Sequence, residues 1–142
     1  MKMMKDSHNI AKNSIHVAAA IVLCKGKVLA CQRGYGDYRG WWEFPGGKLE
    51  AGEAPSDAVL RELREELDWE VEVLEQLAEV ETEYPEYNVW MTFLVCRPVG
   101  DSEPVMKEHM DMRWLGADEL HTVQWLPTDL QILDRVKEYI AP

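Results

Sequence analysis

The sequence predicts an α/β/α sandwich around a mixed β-sheet. Three observations carry this. Apolar or alternating runs at 15–24, 27–32, 70–83, 88–97 and 110–115 have strand character. An amphipathic helix beginning near Pro55 interrupts them. A second amphipathic helix, after Leu126-Pro127-Thr128-Asp129, closes the chain. Helices placed between and after strands cover the two faces of one sheet. The chain has 142 residues, which suits one domain with one core. No internal repeat and no second domain is visible.

Residues 1–14 are polar and patternless, and a mobile tail is expected there, with the folded domain over 15–142. The run IHVAAAIVLC at 15–24 reads as a buried strand, with His16 as a strand-end polar residue. Lys25-Gly26 makes a tight turn into KVLACQ at 27–32, so the pair is a hairpin. Arg33 and the loop GYGDYRGW follow. A short strand is expected at 42–44, broken by Pro45-Gly46-Gly47. Pro55 suits a first helical position, and Asp57 suits the positive end of the helix dipole. Val59, Leu60, Leu63 and Leu67 form the apolar stripe. The alternation in VEVLEQLAEVETE predicts a half-buried strand with a bulge. A turn at 84–87 leads to the apolar strand NVWMTFLVCR, a polar loop at 98–107, a last strand at 110–115, a short helix at 116–120 and one closing helix reaching Tyr139.

Net charge is −11 at pH 7. This argues against a nucleic-acid polymer or an anionic membrane as partner, since both demand a basic face. A small anionic nucleotide remains compatible if metal ions bridge it to the protein. The three cysteines, Cys24, Cys31 and Cys96, lack metal-ligand spacing and read as buried thiols of a reducing cytoplasm. The N-terminus lacks a signal-peptide apolar run, and no run approaches the roughly 18 apolar residues of a membrane span.

On the first helix Glu62, Glu65 and Glu66 lie at i, i+3 and i+4, so three carboxylates share one face. Each like-charge pair costs roughly 0.2–0.5 kcal/mol. Two readings offset that cost. One is a solvated face balanced by Arg61 and Arg64. The other is a hard divalent cation held by oxygen ligands. The apolar stripe points away from the carboxylates, so one face anchors the helix while the other addresses a cleft.

The flanking residues favour the cation. The spacing Gly47-x5-Glu53-x7-Arg61-Glu62-Leu63-x-Glu65-Glu66 resembles the Nudix box, agreeing at seven of nine specified positions. Asp68 and Trp69 depart from it, replacing a glycine and an aliphatic residue. The glycine position ends the helix in left-handed geometry, which Asp tolerates better than most residues. The resemblance extends upstream through WEFP at 42–45. Within the family it is nearest the MutT-type nucleoside triphosphate pyrophosphohydrolases, including 8-oxo-dGTP diphosphatases and the CTP pyrophosphohydrolase-like branch. EFPGGK at 43–48, VLRELREEL at 59–67, KEH at 107–109 and LPTD at 126–129 carry that match.

The resemblance implies a Nudix fold, a Mg²⁺ cofactor (or Mn²⁺ in its place), and hydrolysis of a nucleoside triphosphate to monophosphate and pyrophosphate. It implies a metal and base cluster of Glu62, Glu65 and Glu66, with the Gly46 carbonyl as a backbone ligand. Arg61 and Glu53 match a structural ion pair. Which glutamate is the general base stays open, because coupled carboxylates titrate as a group. Glu108 falls where a further metal-binding glutamate is expected, against an exposed loop charge. Arg33 matches a phosphate-contacting arginine, and Gly46, Gly47 and Lys48 belong to the substrate-binding segment. Asp129 is either a base contact or a helix N-cap. As a base contact, an ionised Asp only accepts hydrogen bonds, which favours guanine or cytosine over uracil. Trp114, Trp125 and Tyr35 are candidates for stacking on the base or for core packing. The implied partner is a small nucleotide, bound by a cytoplasmic monomer or homodimer, with clearance of damaged nucleotides as the family's role. Two alternatives stand beside this. One is a Nudix pyrophosphatase for ADP-ribose or a dinucleoside polyphosphate, for which Tyr84 and Pro85 are weak markers. The other is a binding module without catalysis, against which the intact carboxylates argue.

Overall fold

The computed structural model describes residues 13–140. The first twelve residues of the expected tail, and residues 141–142, lie outside them. Strand β1 (Asn13–Cys24) begins two residues before its expected start. It is followed by β2 (Lys27–Gln32), β3 (Trp42–Glu43), β4 (Gly46–Lys48), helix α1 (Pro55–Leu67), β5 (Val71–Glu83), β6 (Tyr87–Pro98) and β7 (Asp111–Leu115). A 3-10 turn (Ala117–Thr122) then precedes α2 (Pro127–Leu130) and α3 (Leu133–Ile140).

The sheet is mixed, in the order β3-β2-β1-β6-β5, with β4 on β1 and β7 on β2. β1 and β6 run parallel over ten residue pairs, from Asn13 opposite Tyr87 to Val22 opposite Cys96. β1 turns back into β2 through Lys25 (φ 54°) and Gly26 (φ 76°), two successive positive φ angles that suit a two-residue hairpin. The alternation in β5 is interrupted twice, with register shifts at Val73/Glu75 and Gln76/Ala78.

β1 explains the sandwich. Its alternate side chains face opposite layers, and both layers are dry. Ala18, Ala20 and Val22 pack under α1 with Val59, Leu63 and Leu67. Ala19 and Ile21 pack on the other face with Phe44, Phe93, Trp125, Leu133 and Val136. A strand buried on both faces reads as a continuous apolar run. Asp68 ends α1 in left-handed geometry (φ 48°, ψ 42°), donating its N–H to the Arg64 carbonyl. Trp69 is buried and meets Trp114 edge-on at 6.0 Å.

Two elements differ from expectation. Pro45-Gly46-Gly47 does not simply break the chain. Gly46 and Gly47 form β4, pairing with Ala19 and Ala18. A Cβ on Gly46 would lie 2.0 Å from the Ala18 carbonyl oxygen, so the glycine permits close pairing instead of disrupting it. The closing helix is split into α2 and α3. The Ile132 N–H reaches only to the Asp129 carbonyl, a tight turn that buries both Ile132 and Leu133. No helix among the described residues is long and apolar enough to cross a membrane.

Candidate functional site

A cleft of about 620 Å³ opens beside α1. Glu62 and Glu66 of α1 form one wall, and Gly46 and Gly47 of β4 lie along the base of that wall. The loops carrying Arg33 and Glu108 close one side. The other end is lined by Ile15 and Val17 of β1, Val89 and Met91 of β6, Tyr84, Tyr87, Thr128 and Asp129. Packing of the Leu63 and Leu67 stripe against the sheet turns the carboxylate face of α1 into this cleft.

The acidic end is electrostatically loaded. Burial, then the charges of Glu62, Glu43 and Glu108, push the Glu66 carboxyl up to about 9. Gly47 sits against Glu62: a Cβ there would be 2.4 Å from the carboxyl carbon. Glu108, at the cleft edge, accepts a 2.6 Å hydrogen bond from the Tyr35 hydroxyl. The sequence placed Glu62, Glu65 and Glu66 together on one face. The structure separates them. Glu65 is 60% exposed, does not line the cleft, and pairs with Arg61 at 3.3 Å.

Adjacent helix positions point about 100° apart, and Glu65 falls outside the cleft, where it meets Arg61. The Arg61 Nε and Nη2 donate to the two oxygens of Glu53, each at 2.9 Å. Its Nη1 reaches Glu62 at 2.8 Å, and Nη2 also donates to the Lys48 carbonyl at 3.0 Å. The expected Arg61–Glu53 pair is therefore present and bidentate. Arg61 and the Glu50 N–H hold the Glu53 carboxyl down at about 2. Lys48 lines the cleft with its side chain exposed.

Arg33 also reaches the cleft. Its Nη1 donates to the Asp37 carbonyl at 3.0 Å, and Nη2 lies 3.3 Å from Glu43. Sequence reasoning gave Glu43 no role, yet it stands between the two ends of the cleft. His109 approaches it from the other side, with Nε2 3.6 Å away and its own side chain only 8% exposed. The signals were their places in EFPGGK and KEH, which carried the family resemblance and gave neither residue a role.

Asp129 is corrected. It is not a helix N-cap: the N-cap of α2 is Leu126, without a side-chain hydrogen bond. Asp129 is 1% exposed, its Oδ2 accepts from the Phe44 N–H at 2.8 Å, and its Oδ1 has no partner. Burial raises its carboxyl well above the usual range, against the Phe44 N–H, which lowers it. Of the two roles open to Trp114 and Trp125, core packing is the one they take. Both stand off the cleft wall, Trp125 packed on Phe44 at 4.6 Å and Trp114 against Trp69. Tyr35 is on the cleft, and Tyr84 and Tyr87, stacked at 5.2 Å, join it at the opposite rim.

Residues 14–136 match the NUDIX domain model. The chain belongs to the Nudix hydrolase family. It is 35% identical to the CTP pyrophosphohydrolase of Escherichia coli over 84% of this chain and 89% of that protein. It is 37% identical to the putative 8-oxo-dGTP diphosphatase 2 of Mycobacterium tuberculosis over 82% of this chain and 83% of that protein. Among solved structures it superposes on the E. coli ORF135 protein with a TM-score of 0.79 at 32% identity, covering 92% and 93% of the two chains.

Nudix hydrolases are generally divalent-metal dependent. The donors fit such an ion. Glu66 is crowded by three other carboxyls, and a hard cation would relieve that repulsion. Among the described residues, no three acidic, histidine or cysteine side chains already converge at metal-holding distance. Glu65 pairs with Arg61, and Tyr35 engages Glu108. For the metal-free Nudix chain the sign of the pH effect follows from the raised Glu66 value. Between the ordinary 4.5 and about 9, the folded protein holds a proton that the unfolded chain releases. Its stabilising contribution is full below 4.5 and is lost as pH climbs through 9. In chelator, wild-type stability should therefore fall across that range, and Glu66→Gln should flatten the fall. Urea midpoints measured against pH check this; an equal slope in the variant would exclude Glu66 as the source.

Proposed function

We propose that this Nudix hydrolase is a Mg²⁺-dependent nucleoside triphosphate pyrophosphohydrolase, releasing the monophosphate and pyrophosphate. One observation carries the reading: the cleft has two chemically distinct ends. One gathers carboxylates, glycine backbone and Arg33; the other is apolar and aromatic, with the buried Asp129 and its unpartnered Oδ1. A nucleotide has the same polarity, phosphate at one end and base at the other. The activities for which the two relatives are named, on CTP and on 8-oxo-dGTP, support a triphosphate substrate.

Glu62, Glu66, Glu108 and the Gly46 carbonyl would hold the metal, with Glu65 beside them on the same helix as a further donor. There a divalent ion would supply neutralisation of phosphate charge and activation of water. Arg33 and Lys48 meet the remaining phosphate oxygens, and Gly46 and Gly47 let the chain approach them closely. Water attacks the β-phosphorus, the bond to the α,β-bridging oxygen breaks, and that oxygen leaves with the monophosphate. The coupled carboxyls of the acidic end take the proton. Arg61 and Glu53 keep the helix and its loop in register and do not touch substrate. Clearance of damaged nucleotides from the pool is the biological role this activity would serve.

Labelled water tests the reaction. With an NTP and Mg²⁺, the ¹⁸O should appear in pyrophosphate and not in the monophosphate. Nucleoside diphosphate with orthophosphate as products would overturn the reading.

The base end makes a second prediction. A guanine edge offers N1–H and the exocyclic amine, two donors that favour the ionised Asp129 and offset its burial. Cytosine offers one amine, whereas uracil places acceptors on both sides of N3–H. Guanine or cytosine triphosphates should be good substrates and UTP poor. In Asp129→Asn the side-chain oxygen still accepts from Phe44, while the amide places a donor in the cleft. The ratio of kcat/KM for GTP over UTP should fall roughly tenfold or more, about the cost of one unpaired buried polar group. Unchanged ratios across the guanine, cytosine and uracil substrates would remove Asp129 from base selection.

A further inference from the structure

Glu108 lies on a loop that is fastened to the end of α1. The Val105 N–H donates to the Leu67 carbonyl at 2.7 Å. Lys107 Nζ donates to the Glu65 carbonyl at 3.2 Å and to Asp68 Oδ1 at 3.3 Å. Glu108 follows directly, and its backbone is so close to Gly34 that a Cβ there would lie 2.3 Å from the Glu108 carbonyl oxygen. Asp68 itself has φ 48°, where the Nudix box has glycine. Glycine would hold that conformation without strain. The aspartate brings a carboxylate instead, and that carboxylate faces Lys107.

We propose that Asp68 and Lys107 are positioning residues that fix the late loop on the last turn of α1, and so set where the Glu108 carboxylate stands relative to Glu62 and Glu66. Neither residue lines the cleft. The inference rests on the reading of Glu108 as a metal ligand. The pair is open to solvent, with Lys107 43% and Asp68 58% exposed. Exposed ion pairs are weak, so the expected effect is about two- to fivefold in metal affinity.

Long-range charge alone predicts something different. Removing an anion at 68 would weaken cation binding, whereas removing a cation at 107 would strengthen it. A clamp predicts weakening in both cases. Titration of the full chain with Mn²⁺ alone, reading free ion by electron paramagnetic resonance, separates these. Asp68→Gly and Lys107→Gln should each weaken Mn²⁺ binding about two- to fivefold, and Lys107→Arg should restore it. Asp68→Gly should keep or raise the metal-free Tm, since glycine suits the left-handed cap, so weaker binding there is not unfolding. Added to Glu108→Gln, neither substitution should weaken binding further. Opposite shifts in the two single variants would overturn the clamp. So would wild-type affinity in both while Glu108→Gln is weakened, an outcome that leaves Glu108 as a ligand. Wild-type affinity in Glu108→Gln would remove both claims.

Discussion

Arg61 directs its N–H donors at four groups: the Glu53 carboxylate, Glu62, Glu65 and the Lys48 carbonyl. Arg61, Glu53 and Glu62 are half-buried, with 23%, 14% and 15% of their side chains exposed. A guanidinium so placed is not an ornamental surface charge. Its planar fork matches Glu53 in two bonds, and a lysine offers no equivalent geometry. It ties α1 to the loop that leaves β4, and it pairs with one carboxylate inside the cleft, Glu62, and one outside it, Glu65. Glu62 and Glu66 remain inside, while Glu65 is held at the rim.

The cleft depends equally on what lies under the helix. The alanines of β1 are small on both faces, so α1 packs closely on the sheet through Leu63 and Leu67. Gly46 continues this closeness, because any side chain there would strike the β1 backbone. The result is a rigid wall bearing charge that would repel itself without a cation or a proton. The raised Glu66 carboxyl and the lowered Glu53 carboxyl arise on one helix and its adjoining loop. Arg61 faces Glu53, while Glu66 is buried among like charges. Folding thus stores electrostatic strain at Glu66 and relieves it at Glu53, which is the arrangement a cation-binding wall requires.

Much of this was legible in the residues. Periodicity located β1, β2, β5, β6 and α1, and the box spacing located the acidic face and the Arg61–Glu53 pair. The left-handed cap at Asp68 followed from the glycine it replaces. What periodicity could not supply was side-chain direction. Glu65 and Glu66 are adjacent in sequence, but the helix turns about 100° between them, and the docking of α1 on the sheet decides which one enters the cleft. Gly46 and Gly47 looked like a break because pairing with β1 is a long-range contact. Asp129 looked like a cap because its tertiary partner, the Phe44 N–H, lies 85 positions away. The roles of Glu43 and His109 likewise depend on loops that meet only in the folded chain.

The central claim is that the bidentate fork of Arg61 sets the carboxylate wall. Arg61→Lys keeps the charge and removes the fork. The measurement is turnover of a nucleoside triphosphate in saturating Mg²⁺, alongside circular dichroism to confirm the fold. The account predicts a folded variant with kcat reduced about tenfold or more, as misplaced groups in a preorganised site require. Wild-type kcat in a folded Arg61→Lys variant would contradict it.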